Sequence, residues 1–414
     1  MGILNNNRRA QSAYDYGTIQ KRKDARGGSG KGETDARMGM YIGMFLVYGA
    51  AHVYVGRRTL AFLRTFWPGL RAWPFWTVSV LPLLCLGLGG LLGWYPVQCA
   101  GFIWLGVVMY ATLGLLAADA GGWCLRRLGA FATPQARKRA RQATGCVLAA
   151  LVAATVGYGM VHARQIQVHT VAFTVQKAST RTGLRVAVLS DLHLGDANGP
   201  REVERIVQTV NGMQADLVCL VGDTVDTHLP AHAAQCAALL RNLKSRYGVY
   251  ACLGNHDVDA LTSGTNAQVL AFLQQANIQV LQDEAVLIDD AFYLVGRLDE
   301  DPIGVGETNR KSPQELTAAL DPSKPILMMD HRPKEYEAAA AAGVDVDMSG
   351  HSHGGQLFPV TLLTDAMYAL NWGYRQMGSL HAVTTCGVGF WGPPMRIGTD
   401  CEIVQMEIAF SPPH

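Results

Sequence analysis

The chain has 414 residues, of which 49% are apolar and only 16% are charged, against roughly 25% charged residues in an ordinary soluble domain. This composition excludes an intrinsically disordered protein and argues against a wholly soluble one. The net charge of +2 conceals a division. Residues 1–164 carry 19 basic and 5 acidic side chains, whereas residues 165–414 carry 16 basic and 28 acidic ones. Two regions of such different charge predict two different kinds of structure.

The N-terminal region begins with a polar segment. Residues 1–37 are basic and rich in glycine, without a hydrophobic period, and we predict a disordered tail there. Met38 or Met40 would be an alternative start of translation.

Four apolar stretches follow the tail, and each is close to the ~20 residues that a helix needs to cross a bilayer. We therefore predict a four-helix transmembrane bundle over residues 38–164, with spans at 38–55, 75–92, 99–118 and 143–161. Gly89 and Gly93 are four residues apart, the spacing of small residues at which membrane helices pack closely.

The loops between these stretches predict an orientation. The first loop contains four arginines and the third contains six basic residues, whereas the second contains none. The positive-inside rule places the two basic loops in the cytoplasm, so both termini are expected on the other side. The eight basic residues of the tail favour the opposite orientation, but the ten charges of the loops outnumber them.

From about residue 165 short β-branched runs alternate with helical patterns, which predicts an α/β architecture with parallel strands. A β-rich C-terminal part predicts a second sheet packed on the first. The predicted strands lie at 185–190, 216–222, 247–254, 278–281, 285–288, 292–296, 325–330, 344–350, 382–386 and 403–410. The predicted helices lie at 200–213, 231–244, 266–276 and 333–342.

A polar cluster follows each of five predicted strands. In open α/β sheets, ligands bind beyond the carboxyl ends of the strands. One such cluster would be ordinary loop or cap chemistry, but five in series predict a site. The side chains in this position are Asp191, His193, Asp223, Asn255, His256, His331, His351 and His353.

Seven of these side chains form a set of metal ligands. Four histidines, two aspartates and one asparagine suit Zn, Mn or Fe, and suit a calcium site poorly. Seven ligands are too many for one tetrahedral ion and fit two ions that share a carboxylate. A pair of divalent ions can clamp the attacking and leaving oxygens of a phosphoryl displacement.

The blocks D-x-H, G-D, G-N-H-D, H and G-H-x-H, in this order over about residues 182–410, resemble the calcineurin-like metallophosphoesterase family. The resemblance implies a two-sheet β-sandwich flanked by helices. It implies that Asp223 bridges two metal ions and that His256, which is not a ligand, contacts the phosphate and protonates the leaving oxygen. The other implied ligands are, for the first ion, Asp191, His193 and His353, and for the second, Asn255, His331 and His351.

Further details are similar to a membrane-associated branch of small bacterial phosphoesterases, and with the four predicted spans we expect a multi-pass protein of the cell (inner) membrane. They are the run HSHGGQ, the DHRP around His331, and a late GxG…PxR that ends at Arg396. Arg396 has two open interpretations, phosphate contact or structural pairing. Asp226 and Asp257 flank the implied ligands, and either orient histidines or cap loops.

The sequence thus predicts a membrane-anchored, dinuclear phosphoesterase in which residues 165–414 hydrolyse phosphate mono- or diesters of lipid-linked or membrane-proximal substrates. The acidic domain lacks the basic footprint that nucleic acid requires, so no nucleic acid partner is expected. Two alternatives stay open. One is a cytoplasmic-face hydrolase of the UDP-diacylglucosamine pyrophosphate type, and the other is a non-catalytic membrane sensor or transport component.

Overall fold

The computed structural model of the chain describes residues 30–128, 133–226, 229–258, 265–299 and 310–411. Residues 1–29 of the predicted tail lie outside these ranges. The helices are α1 Gly30–Leu63, α2 Ala72–Leu91, α3 Tyr95–Arg127, α4 Pro134–His162, α5 Pro200–Met213, α6 Ala233–Leu240, α7 Thr265–Gln275, α8 Pro313–Thr317, α9 Tyr336–Ala341 and α10 Val360–Met367. The strands are β1 Ile166–Ala178, β2 Gly183–Leu189, β3 Leu217–Val221, β4 Val249–Cys252, β5 Gln279–Val280, β6 Glu284–Ile288, β7 Phe292–Gly296, β8 Ile326–Met329, β9 Val346–Ser349, β10 Gly373–Met377, β11 Leu380–Thr384 and β12 Cys401–Ser411.

The four N-terminal helices expose apolar side chains rather than bury them. Phe45 on α1 is 79% exposed and Leu91 on α2 is 82% exposed, a surface that suits lipid and not water. Three helices, α2, α3 and α4, are long and apolar enough to cross a bilayer in the part of the chain that the structure describes. The first predicted span, at 38–55, lies in α1, which is not among these three helices, so this span stays a prediction.

Helices α2 and α3 approach each other closely at glycines. A Cβ on Gly89 of α2 would collide with the backbone of Gln98 in α3, and a Cβ on Gly101 of α3 would collide with Leu86 in α2. The predicted packing role is therefore right for Gly89. Gly93 instead lies in the connecting turn with a φ of +62°, where a Cβ would meet nothing.

The C-terminal region is built from two six-stranded mixed sheets. Their strand orders are β1-β12-β2-β3-β4-β5 and β10-β11-β9-β8-β7-β6. Strands β2 to β5 run parallel to one another, as do β7, β8, β9 and β11. Within each of these groups the carboxyl ends point to the same edge of the sheet. The predicted α/β fold with two sheets is confirmed.

The two sheets pack face to face because their strands alternate buried side chains between two layers. On β2, Val186 and Val188 enter the core between the sheets, together with Leu294 of β7 and Met348 of β9. Ala187 and Leu189 point the other way, into the core beneath α5, α6 and α7. A third core lies between the second sheet and the short helices α8 and α9. Helices thus flank the sandwich on both faces.

Several elements were not predicted from the sequence. Strand β1 alternates partly buried and exposed residues at the edge of the first sheet and pairs with β12. Helix α10 and strand β10 follow the H-S-H-G-G-Q run, where no apolar period was recognised. The helix predicted at 231–244 is shorter and ends at Leu240, since the segment from Arg241 to Lys244 is mainly polar.

We expect Leu294→Ala to weaken the sandwich strongly. Leu294 is completely buried between the sheets, and truncation of such a leucine costs about 2–5 kcal/mol of unfolding free energy. Thermal unfolding of the full chain in detergent, followed by circular dichroism, measures the change. Leu287→Ala on neighbouring β6 is the matched control, because Leu287 is 40% exposed and its truncation should change stability by about 0.5 kcal/mol or less. Equal destabilisation by both substitutions would contradict the assigned core.

Candidate metal centre

The eight predicted site residues follow strands of both sheets. The ends of β2, β3 and β4 in the first sheet and of β8 and β9 in the second sheet carry them. The two sets meet because the sandwich core holds the sheets with these edges together. His351 illustrates the meeting: it follows β9, and its backbone amide donates to Asp191 Oδ2, after β2, at 3.0 Å.

A first group brings together Asp191, His193 and His353. Their potential ligand atoms all lie within 4.8 Å of one another, and all three residues are buried. His353 Nε2 is 3.3 Å from Asp191 Oδ1 and 3.1 Å from His193 Nε2. Two imidazole nitrogens and a carboxylate oxygen thus converge on one point, as the ligands of a cation do.

A second group contains Asp223, His331 and His351, again with potential ligand atoms within 4.8 Å of one another. His331 Nδ1 donates to the carbonyl of Val221 at 2.8 Å. This bond fixes the tautomer, and it leaves Nε2 unprotonated in the neutral ring and available as a ligand. His331 Nε2 lies 3.2 Å from Asp223 Oδ2.

The Asp223 carboxylate lies between the two groups. Its Oδ2 is 3.2 Å from His331 Nε2 in the second group and 3.8 Å from His193 Nε2 in the first. Its Oδ1 accepts a hydrogen bond from the backbone amide of His256 at 2.8 Å. Gly254 is so close to Asp223 that a Cβ there would collide with the carboxylate, so β4 can approach only with glycine at this position.

His256 stands beside the first group and is held by Asp226. Its Nδ1 lies 3.3 Å from Asp226 Oδ1, and its ring centroid is 4.7 Å from that of His193. Burial alone would lower the pKa of His256, but the bond to Asp226 and the charge of Asp223 outweigh burial and raise the pKa. Of the two open interpretations of Asp226, orientation of a histidine is the one that the geometry supports.

Asp257 has the other of the two predicted roles, the capping of loops. Its carboxylate accepts backbone hydrogen bonds from Gly254, Thr224 and Val225 at 2.9 to 3.2 Å. It therefore ties the loop after β4 to the loop after β3 and contacts no histidine by these bonds. Burial and the nearby Asp223 raise the pKa of Asp257 to about 6.

The donor set of the two groups fits divalent cations. Among the predicted site residues, five buried atoms have no hydrogen-bond partner in the described part of the chain, and each is of a type that ligates Zn, Mn or Fe. They are Asp191 Oδ1, His193 Nδ1, Asn255 Oδ1, His331 Nε2 and His351 Nδ1. Buried polar atoms are costly when unpaired, so their concentration here is explained if ions satisfy them. This is also the observation that includes Asn255 in the centre.

The backbone of the centre is strained. Five of the site residues have a positive φ, between 43° and 68°, a conformation that residues other than glycine adopt uncommonly and that recurs at functional sites. These residues are Asp191, His193, Asp223, His351 and His353. In this conformation the first and last side chains of the D-x-H and H-x-H blocks both point into the centre. The strained backbone therefore brings the proposed ligands together.

The pKa values of the histidines diverge because they share one confined space. Burial opposes protonation of His331, but the Asp223 carboxylate outweighs it and raises the pKa of His331 to about 10. Burial and repulsion from His331 lower the pKa of His351 to about 3. Burial also lowers the pKa of His353 well below its usual value. His351 and His353 are therefore held neutral, the state in which imidazole binds a metal.

Three residues near the centre were missed or left open by the sequence. Trp391 lies 5.9 Å from the ring of His256, and Tyr368 lies 6.3 Å from the ring of His351; no motif marked either of them. Arg396 is completely buried and donates to the carbonyls of His353 and Cys386 at 3.1 and 2.7 Å. Its guanidinium also lies 3.2 Å from His353 Nδ1. Its role is thus to hold backbone and the His353 ring, and none of these partners is a carboxylate.

Two mixed sheets whose parallel strands bring paired Asp/His groups together at one edge suit a metal-dependent hydrolase of phosphate esters. Residues 184–355 match the family model of calcineurin-like phosphoesterases. The chain is also 30% identical over 356 residues to a zebrafish (Danio rerio) protein named transmembrane protein with metallophosphoesterase domain, which covers 80% of each chain. The chain belongs to the calcineurin-like metallophosphoesterase family, whose members use divalent metals.

Bacterial relatives support the same assignment. The chain is 29% identical to an uncharacterized metallophosphoesterase of Aquifex aeolicus, over 59% of this chain and 92% of that protein. It is 28% identical to the phosphodiesterase YaeI of Escherichia coli, over 66% of this chain and 98% of that protein. The zebrafish protein is named a transmembrane protein, and the three apolar helices of this chain agree with a membrane protein.

We expect Asp223→Asn to reduce metal binding at both groups, because this carboxylate lies between them. The affinity should fall by about 10-fold or more. Metal content per chain after dialysis, measured by mass spectrometry on the full chain, reports the loss. Asp345→Asn is the matched control, since Asp345 is also buried but pairs with Lys177 at 2.8 Å beside the opposite end of β9. Two ions per chain at unchanged affinity in Asp223→Asn would disprove the bridging role.

Proposed function

We propose that the protein is a membrane-anchored dinuclear phosphoesterase that hydrolyses phosphate mono- or diesters. The observation that carries the proposal is the carboxylate of Asp223 between two Asp/His groups. In this assignment Asp191, His193 and His353 would hold one ion, Asn255, His331 and His351 would hold the other, and Asp223 would contribute to both. Mn, Fe and Zn all suit these donors.

The residues of the chain would divide the reaction between them. When bound, two divalent ions supply positive charge that polarises the phosphate and activates a water. His256 donates a proton to the leaving oxygen, a task that its raised pKa favours. Asp226 holds the His256 ring by its Nδ1, so that Nε2 is the atom left to face the substrate.

The names of the relatives favour this function over the two alternatives. They are called metallophosphoesterases or, for the Escherichia coli protein, a phosphodiesterase. That name supports diesters as substrates, and we keep monoesters because the two-metal arrangement serves both. A direct test is turnover of p-nitrophenyl phosphate and its bis-ester by the full chain in detergent. Activity with Mn that a chelator abolishes is the expected result, and its absence with every divalent metal would contradict the proposal.

We propose four membrane spans, α1 to α4, in the cell (inner) membrane, with the catalytic domain on the outer side. The ends of α3 and α4 far from the catalytic domain carry the basic residues, with Arg126 and Arg127 in the last turn of α3 and Arg137 to Arg141 at the start of α4. The positive-inside rule puts these ends in the cytoplasm. At the other end of α4, His162 Nε2 lies 2.7 Å from Asp400 Oδ1 of the catalytic domain, so that domain adjoins the end of α4 without the basic residues.

We expect His256→Ala to retain both metals and lose rate. General-acid catalysis typically contributes about 10²–10⁴-fold, so an alkyl phosphate should lose that much. A p-nitrophenyl ester should lose less, since its leaving group hardly needs a proton. His381→Ala is the control, because its ring lies on β11 and bonds to the Tyr374 hydroxyl at 2.9 Å. Equal losses for good and poor leaving groups would exclude the acid role.

Reporter fusions test the orientation. An alkaline phosphatase fused after His414 should be active and a green fluorescent protein fused there should be dark, because both termini are expected outside the cytoplasm. The opposite pair of results would place the catalytic domain in the cytoplasm and reverse the proposed orientation.

A further inference from the structure

The surface of the catalytic domain carries an apolar segment directly after the metal centre. Helix α10 buries none of its residues, and its Leu362 and Leu363 are 60% and 61% exposed. Met367 on the same helix and Phe358 just before it are also exposed. We call Phe358 and α10 together the apolar rim. A cluster of this size on a soluble domain would be an unusual surface in water.

The apolar rim is attached to the N-terminal helices. The hydroxyl of Tyr110 on α3 donates to the carbonyl of Phe358 at 2.8 Å. Leu357, the residue before the rim, packs in a buried cluster with Met395 and with Val156 of α4. Partly buried residues of both helices surround this cluster, among them Val107 and Val152. The rim therefore continues an interface that the catalytic domain makes with two apolar helices.

The position of this interface along the helices gives its depth. If the basic ends of α3 and α4 mark one headgroup layer, the apolar interior extends about 30 Å from them. Tyr110 lies about 16 residues from Arg126, and Val156 lies about 15 residues from Arg141. At 1.5 Å per residue these distances are about 24 and 22 Å. Both contacts with the catalytic domain thus fall inside the apolar layer, in the leaflet next to that domain.

The same region borders the metal centre on two sides. Tyr368, at the end of α10, lies 6.3 Å from the ring of His351. On the other side exposed Trp391 lies 5.9 Å from the ring of His256, and its neighbour Gly392 faces Phe102 of α3. Of the two aromatic residues beside the centre, Trp391 thus belongs to a segment that contacts α3, and Tyr368 directly follows α10 of the apolar rim.

We propose that the apolar rim inserts into the outer half of the bilayer beside α3 and α4, and that the metal centre consequently takes the phosphate of a membrane lipid. We choose the bilayer as the partner of the apolar rim because the rim adjoins α3 and α4 at a depth that lies inside the apolar layer. The acid of α10, Asp365, accepts a hydrogen bond from Asn371 Nδ2 at 2.8 Å, which reduces but does not remove the cost of placing its carboxylate beside lipid. The lipid substrate rests on the proposed phosphoesterase function, whereas the insertion itself does not.

The insertion is tested by photo-crosslinking in the full chain, reconstituted into phosphatidylcholine vesicles. A benzophenone amino acid is placed at Leu363 or, as the matched control, at Leu287. Leu287 is an exposed leucine of β6, which forms the edge of the second sheet opposite β10, the strand that follows α10. Illumination should attach lipid to the protein labelled at 363 and not to the protein labelled at 287. Adducts with a second copy of the chain, or equal lipid labelling at both positions, would overturn the insertion.

The substrate class is tested by rates on two substrates. Leu362→Asp with Leu363→Asp should leave turnover of soluble p-nitrophenyl phosphate unchanged and lower turnover of phosphatidic acid in phosphatidylcholine vesicles. The loss should be about tenfold per leucine, the effect of removing one apolar side chain from an apolar medium. Leu287→Asp should change neither rate. If the wild type hydrolyses the soluble ester but not the lipid, or the double variant loses both rates equally, the lipid assignment is wrong. A wild type inactive on both substrates would instead refute the phosphoesterase function, and the crosslinks would still decide the insertion.

Discussion

The arrangement of this protein depends on one buried carboxylate, that of Asp223, and on the charged groups packed around it. Asp223 lies at the end of β3, where strand ends of both sheets arrive, and imidazoles of both groups point toward it. A buried carboxylate surrounded by histidines is stable only if positive charge is available nearby. Protons on His331 can provide part of it, as the raised pKa of that residue indicates. Divalent ions would provide more positive charge. Neighbouring imidazoles would then not need to be protonated at the same time.

The sandwich core enforces this meeting of charges. The sheets contribute separate halves of the centre, so no single β-α-β unit could build it. Packing of Val186 and Val188 against residues such as Met348 sets the distance between the sheets, and the strained backbone at Asp191 and His353 then directs side chains inward. Strain of this kind costs about 1–3 kcal/mol per residue, which the large apolar core between the sheets can offset.

Sequence reasoning identified what depends on local patterns. The strand ends were recognisable because each parallel strand is a short apolar run followed by Asp, His or Asn, and the centre followed from the series of five. What depends on distant contacts was not recognisable. The role of Asp226 beside His256 and that of Asp257 between two loops differ only in three-dimensional placement. Helix α10 escaped notice because its apolar residues face outward, so its pattern lacks the polar face of an ordinary surface helix.

Arg396 has a consequence for how the molecule can be divided. Its backbone amide donates to the carbonyl of Gly159 in α4 at 3.0 Å, and its guanidinium holds the carbonyl of His353. One residue therefore joins the last membrane helix to a residue of the first Asp/His group. A fragment that starts after α4 would lose that tether and would uncover Leu357 and Met395 to water. Helix α4 is thus part of the same folding unit as the metal centre, and exchanging it for another apolar helix would alter the geometry of the centre.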